Sequence, residues 1–426
     1  MGRLKPKTDI SPTGEPAANN SISPSEGLIV LENVVIASGV RTAIGSFGGA
    51  LAGTTPCDLA QAVAAEAISR AGISPSAVQQ AVFGNVIHTE PRDMYLARVA
   101  SIGAGMPVTS PALTLNRLCG SGLQAVVTAA EAIALGNAEV ALAGGAENMS
   151  RAGHLISPSR FGQKMGDISA TDMMVGALSD PFGNGHMGVT AENIAVGERI
   201  DRDTQDALAL RSHKRAAAAI EAGHFKDQIL PFAVKRGRKE TVFEIDEHVR
   251  SDISAEDLRN LRPAFAREGS VTAGNASGIN DGAAALVLAS REASDRFELP
   301  QLAFIRSAAL GGVAPEVMGL GPVPAVTEAL DRAGLGIGDL SVIESNEAFA
   351  AQACAVAEKL GFPEEITNPN GGAIALGHPV GASGAVILIK LVFELRRTAG
   401  RFGLATMCIG GGQGIAVIVE NAEHTA

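Results

Sequence analysis

Four short stretches of this chain hold the residue types that acyl transfer needs: two thiols, an imidazole and a carboxamide. Cys119 lies in Leu115-Asn-Arg-Leu-Cys-Gly-Ser-Gly-Leu-Gln, between a predicted strand and a predicted helix. A thiol at a helix start feels the positive end of the dipole, which draws its pKa from ~8.5 toward neutrality. Gly120 and Gly122 read as side chains removed to admit an acyl group. A cysteine taken at random is more often structural, but the glycine-flanked strand-to-helix position reverses that preference. His378 lies in Asn370-Gly-Gly-Ala-Ile-Ala-Leu-Gly-His-Pro-Val-Gly-Ala-Ser-Gly, where glycines and Pro379 hold an imidazole on a stiff loop. A thiolate facing an imidazole is an acyl-transfer arrangement. Cys408 opens Cys-Ile-Gly-Gly-Gly-Gln-Gly, whose glycines let backbone N–H groups approach a bound oxygen. Phosphate binding would also use such a loop, but neither G-x-G-x-x-G nor a Walker motif is present. Asn346, in Glu344-Ser-Asn-Glu-Ala-Phe-Ala-Ala-Gln, is placed to hold a water or a carbonyl.

The elements that must position these residues come in two copies. Arg70-Ala-Gly-Ile and the following Gly84-Asn85 match Arg332-Ala-Gly-Leu and Ser345-Asn346, 261 to 262 residues on. Cys119-Gly-Ser-Gly matches Gly381-Ala-Ser-Gly at the same offset, so the His378 loop is the counterpart of the Cys119 loop. The apolar run Val140 to Gly144 is set against Leu404 to Cys408, and Asp281-Gly282 against Gln413-Gly414. That last offset is shorter by 130 residues, so the first copy holds an insertion before its final strand. Short β-branched runs alternate with Gly-punctuated helical patterns, the mark of α/β units. Strands are predicted near 31–38, 80–84, 112–116 and 139–144, and helices near 56–70, 92–103 and 120–136. The resulting division is a polar tail at 1–27, a first half at 28–149 and 272–294, a loop domain at 150–271, and a second half at 295–426.

Composition narrows the function. Of 426 residues, 46% are hydrophobic, enough for sizeable cores. Aromatic residues are only 4% and Trp is absent, which disfavours binding by aromatic stacking. The net charge of −11 excludes a broad polyanion-binding surface, so no nucleic-acid partner is expected. Four Cys without a C-x-x-C pair make neither a disulfide framework nor a structural zinc site, and no metal is expected. Residues 1–27 carry no apolar core and several acids, so they read as a disordered tail rather than a targeting signal. No apolar run reaches the ~18–20 residues of a membrane span. We therefore expect a soluble, cytoplasmic protein with no membrane partner.

The blocks NRLCGSG, HMG-x-TAEN (186–193), TAGNASGINDGAA (272–284), ESNEAFAAQ, GGAIALGHPVGASG and CIGGGQG resemble the thiolases, in order from about residue 30 to 420. The branch they resemble holds the acetyl-CoA acetyltransferases and β-ketothiolases. The segment Asn85-Val-Ile-His-Thr-Glu-Pro-Arg-Asp-Met-Tyr-Leu-Ala-Arg looks more like the bacterial broad-specificity β-ketothiolases. The resemblance implies a thiolase fold: two pseudo-symmetric α/β halves in a layered αβαβα core, with an inserted loop domain. It implies reversible Claisen condensation of acetyl-CoA with an acyl-CoA, through a ping-pong cycle. Cys119 would be the acylated nucleophile and His378 its activating partner. Cys408 would be the acid/base at the α-carbon. His378 and a water on Asn346 would form one oxyanion hole, and the N–H groups of Cys119 and Gly410 a second.

The same resemblance places coenzyme A against Leu178, His186, Met187, Arg250, Phe265, Ala273, Ser277, Met318, Ala348 and Phe349. Apolar members would line the pantetheine and Ser277 would bond its amide. CoA, acetyl-CoA and acyl-CoA are then substrates and products, with no permanently bound cofactor, and the assembly would be a homotetramer. The cluster Lys235-Arg236-Gly-Arg238-Lys239 is either positive charge for the coenzyme or a solvated hairpin. Ser345 stands where Ala is more usual, and the polar tail is additional; neither touches a catalytic atom. A non-catalytic acyl-CoA-binding protein is the alternative, but it has no need of both thiols. A ketoacyl-synthase-type enzyme would replace Cys408 by His or Asn.

Overall fold

Alternating β-branched and Ala-rich stretches build the elements that the sequence predicts, with small shifts at their ends. The computed structural model describes residues 31–157, 160–236 and 239–424. The segment 1–27 lies outside the described residues, as do Gly237 and Arg238 of the basic cluster. First-half strands are β1 (Val34–Thr42), β2 (Gln80–Gly84), β3 (Ala112–Leu115), β4 (Val140–Asn148) and β5 (Asn280–Ser290). Second-half strands are β6 (Ala303–Gly312), β7 (Leu340–Ser345), β8 (Phe402–Ile409) and β9 (Gln413–Asn421). The helices that matter most are α1 (Pro56–Arg70), α2 (Ser121–Ala134), α3 (Met187–Gly197), α4 (Arg202–Glu221), α5 (Pro322–Ala333), α6 (Ala350–Leu360) and α7 (Ser383–Thr398).

Neighbouring strands run β7-β8-β9-β6-β1-β5-β4-β2-β3. Read outward from the centre, β1-β5-β4-β2 and β6-β9-β8-β7 follow the same order and the same parallel or antiparallel sense. The partner of β3 in the second half is reduced to one parallel bridge between Ile343 and Thr367. Even the irregularities repeat. β1 slips register between Ile36 and Ser38, and β6 between Ile305 and Ser307. At each bulge the serine hydroxyl donates to a helix carbonyl, Ser38 to Ala67 at 2.6 Å and Ser307 to Ala329 at 2.7 Å. The halves join where β1 and β6 pair over only Val35–Phe304 and Ile36–Ala303, so the strands of both make one hydrogen-bonded array.

Helix α1 packs on first-half strands and α5 on second-half strands, while α2 and α7 pack on each other between them. From Ser383 to Val392 every residue of α7 is buried. Lys390 within that run survives burial because its Nζ lies 2.7 Å from both Glu344 Oε2 and the Gly371 carbonyl.

Hydrogen-bond register corrects one alignment. Gly282 of β5 faces Glu147, and Gly414 of β9 faces Cys408. The counterpart of Cys408 is therefore Glu147, three residues beyond the Gly144 that matching apolar runs suggested. Apolar runs slide past one another easily; antiparallel ladders do not.

Where Gly410 to Gly412 suffice to join β8 to β9, residues 149–279 join β4 to β5. This long connection is tied back to β1 by Arg41 and Asp246, both fully buried, in a bidentate pair of 2.7 and 2.9 Å. Glu247 adds bonds from Ser46 and Ala50 N–H. No helix among the described residues is long and apolar enough to cross a membrane.

Candidate active site

Cys119 sits two residues before α2, after the end of β3. The turn that delivers it is strained: Leu118 holds φ at 46°, a region β-carbon-bearing residues avoid. Two bonds lock it. Ser121 Oγ donates to the Leu118 carbonyl at 2.7 Å and accepts from Arg117 N–H at 2.9 Å. Gly120 caps α2 with no side-chain bond. The glycines have a different duty from the one expected. A Cβ on Gly120 would fall 2.5 Å from Ile409 Cδ1, and one on Gly122 2.8 Å from the Ala385 backbone N. They let α2 close against β8 and α7 rather than clearing a path for the acyl group.

The thiol's electrostatics also reverse the expectation. Burial pushes Cys119 up to about 11, while backbone N–H groups of Gly410 and of Cys119 itself pull it down and Glu147 adds to the rise. Desolvation outweighs the helix end. Cys119 at rest is thus a thiol.

The 377–384 turn presents the imidazole of His378. Gly377 has φ of 107°, and a Cβ there would strike the Asn280 amide at 2.5 Å. Asn280 Oδ1 accepts the His378 backbone N–H at 2.9 Å. The imidazole Nδ1 lies 2.6 Å from Ser383 Oγ, and that hydroxyl donates to the Pro379 carbonyl at 2.9 Å. With its one proton spent on Pro379, Ser383 accepts from Nδ1–H, which leaves Nε2 as the bare acceptor. Burial holds His378 down to about 4, so the ring is neutral. Its Nε2 is buried with no protein partner.

Asn346 follows β7, its N–H bonded to the Thr406 carbonyl of β8 at 2.9 Å. Both atoms of its amide are buried and lack a protein partner, free to hold a water or a substrate oxygen. Cys408 is fully buried near the end of β8. Burial drives its thiol well above the ordinary range, and the nearby Cys119 adds to the rise. Gly410 follows, and a Cβ there would meet Met187 Cε at 2.9 Å and Leu118 Cδ1 at 3.1 Å.

Most of the residues expected around the coenzyme also meet. Met187 N–H bonds the Leu178 carbonyl at 2.8 Å. The His186 ring stacks on Phe265 at 4.8 Å, and Phe265 meets Phe349 edge-on at 6.0 Å. Ser277 N–H bonds the Ala348 carbonyl at 3.0 Å, running the 275–277 segment alongside 348–350. Met187, Met318, Ala348, Phe349 and Cys408 share one apolar cluster. Ala273 and Arg250 are exposed; Arg250 is placed by its backbone N–H on His213 Nδ1 at 3.1 Å. The paired strands 232–236 and 239–243 pack Val234 and Phe243 into the main hydrophobic core.

Sequence reasoning missed Ser383, Asn280 and Glu147. The spacing of Ser383 five residues after His378 was a usable signal; the other two become visible only when distant segments meet.

Known proteins bear on this geometry. A model of the thiolase N-terminal domain matches residues 34–292, and one of the thiolase C-terminal domain matches 299–421. The chain belongs to the thiolase family. This thiolase is 57% identical over 389 residues to beta-ketothiolase BktB of Cupriavidus necator, covering 91% of this chain and 98% of that protein. It is 49% identical to an acetyl-CoA acetyltransferase of Chromobacterium violaceum, covering 91% and 99%. Among solved structures, human mitochondrial 3-ketoacyl-CoA thiolase in complex with CoA superposes with a TM-score of 0.90 at 43% identity, covering 92% and 99%. The thiolase fold and the acetyl-CoA acetyltransferase/β-ketothiolase activity, Claisen condensation of acyl-CoAs, follow from these relationships.

Proposed function

We propose that Cys119 carries the acyl group between two coenzyme A thioesters, with His378, Cys408, Asn346 and Gly410 in the roles their geometry suits. The buried, unpartnered His378 Nε2 and Asn346 amide support this reading most strongly, and the backbone N–H groups of Cys119 and Gly410 act to lower the Cys119 thiol. A carbonyl attacked by that sulfur has its oxygen beside both donors. In the first half-reaction Cys119 passes its proton to His378 Nε2 and attacks the thioester carbon. The carbon–sulfur bond to CoA breaks, and Cys408 gives its proton to the departing sulfur. Cys408 is left as a thiolate whose burial makes it a strong base. It then removes the α-proton of the second acyl-CoA, and Asn346 and His378 stabilise the enolate oxygen. The enolate attacks the acyl-Cys119 carbon, Cys119 leaves and regains its proton from His378, and 3-ketoacyl-CoA departs.

CoA thioesters are the substrates, and residues 150–271 with the 272–277 and 346–349 edges form their site. Leu178, Met187, Phe265, Met318, Ala348 and Phe349 present the apolar wall a pantetheine arm requires. His186 and Ser277 supply polar contacts, and exposed Ala273 and Arg250 are assigned to the outer part of the site. The assembly is a homotetramer of the cytoplasm; exposed Phe161, Met165 and Ile168 in the inserted segment supply apolar surface for it.

Cys408→Ser should still release CoA in a single acetyl transfer to Cys119, slowed because the CoA thiolate then leaves unprotonated, while losing condensation by at least 100-fold. Condensation near the parent rate would remove Cys408 as the base. Steady-state thiolysis of C4 to C8 3-ketoacyl-CoAs tests breadth: comparable kcat/KM across the series fits the broad-specificity reading, and a sharp C4 preference defeats it.

A further inference from the structure

Glu147, in the last turn of β4 toward the site, is fully buried and takes no part in the steps above. Its carboxylate accepts four N–H bonds. Oε2 receives Val86 N–H at 3.0 Å and Gly381 N–H at 2.9 Å. Oε1 receives Ile87 N–H at 3.1 Å and Asn85 Nδ2 at 3.2 Å. The donors come from two distant segments: the loop leaving β2, and the turn between His378 and Ser383. The Gly381 carbonyl is seated equally tightly, since a Cβ on Gly145 or Gly84 would fall 2.1 or 2.8 Å from it. Gly122, at the start of the Cys119 helix, would meet the same oxygen at 3.1 Å.

Pseudo-symmetry sharpens the observation. Glu147 is the ladder counterpart of Cys408, and Asn85 follows β2 as Asn346 follows β7. In the second half the Asn and the thiol face the reaction; in the first, Asn85 and Glu147 bond each other and the neighbouring turn. We propose that Glu147 is a positioning residue, the first half's counterpart of the catalytic Cys408, which holds the His378–Ser383 turn in register with Cys119. It acts through Gly381, two residues from Ser383, whose hydroxyl fixes the His378 tautomer. Burial pushes the Glu147 carboxyl up to about 8, against the pull of the backbone N–H groups of Ile87, Val86 and Gly381, and a carboxylate suits this task because every contact is a donor. A carboxamide keeps one acceptor oxygen and turns an NH2 toward two N–H groups. Misplacement of a catalytic base by about 1 Å costs on the order of 100-fold in rate.

The proposal rests on the Cys119–His378 reading, and one set of variants separates the two. Glu147→Gln should lower kcat for acetoacetyl-CoA thiolysis about 100-fold while KM stays within about threefold. Glu147→Asp, which keeps the charge but cannot span both segments, should lose at least about tenfold in kcat with the same KM. Asn85→Ala, on the side of the clamp away from His378, should cost thermal stability and leave kcat within about threefold. A folded Gln or Asp variant with parent-like kcat, or a loss confined to KM, overturns the proposal. So does failure of both to fold, which would make the clamp structural only. Cys119→Ala is the companion: activity there defeats the nucleophile reading, whereas inactivity beside an active Glu147→Gln defeats this proposal alone.

Discussion

His378 shows how burial sets the chemistry of single residues in this thiolase. The ring is held near 4 because desolvation penalises its cation, and Ser383 fixes which nitrogen carries the proton. Cys119, held near 11, is a thiol at neutral pH, so in the proposed mechanism the first proton transfer is between two neutral groups. The sign of the pH dependence follows. A base works when deprotonated, and one whose pKa is lowered from 6.5 to about 4 stays deprotonated well into acid. We expect kcat/KM for thiolysis to show no acid limb centred near 6.5, with the fall attributable to His378 setting in only as pH approaches 4. A pH–rate profile, with folding verified at each pH, checks this; a midpoint near 6.5 that vanished in Ser383→Ala would contradict it. From sequence the residue types were readable at Cys119, His378, Cys408 and Asn346. The direction of the Cys119 shift was not, because a helix start is local and desolvation is a property of everything packed around it.

At the scale of elements, the close approach of α2 and α7 governs the site. Both helices begin at pseudo-equivalent serines, Ser121 and Ser383, and each serine braces the turn before its own helix. Glycine is required where they meet, since a Cβ at Gly122 would lie 2.8 Å from the Ala385 backbone N of α7 and 3.0 Å from the Ala382 carbonyl just before it. Gly122→Ala should therefore destabilise the protein by about 1–3 kcal/mol, the cost of overpacking a rigid contact. Urea unfolding measures it, and an unchanged midpoint would show that the helices separate freely. Predicted helix and strand positions agreed with the structure within a few residues, because amphipathic periodicity and caps such as Thr55 before Pro56 are local signals. The alignment of Cys408 failed because it relied on hydropathy where ladder register decides.

For the whole molecule, the decisive feature is that one half of a duplicated fold carries a long insertion that must stay fixed on its host. Arg41 and Asp246 do this from opposite sides of the join, with no solvent exposure on either side chain. Removing the cation alone strands a buried carboxylate. Arg41→Ala should cost about 3–5 kcal/mol of stability. A loss under about 1 kcal/mol by chemical denaturation would mean that Asp246 finds water and the segment is not clamped there.

The sequence by itself determined the duplication, the place of the insertion and the α/β class, and it singled out the four side chains proposed for the site, because repeats, periodicity and glycine-flanked motifs are written in consecutive residues. Tertiary structure alone decided the protonation states, the packing role of Gly120 and Gly122, and the bonds of Glu147. Each of those depends on desolvation or on contacts between segments 60 or more residues apart, and no local pattern encodes which distant backbone N–H a carboxylate will meet.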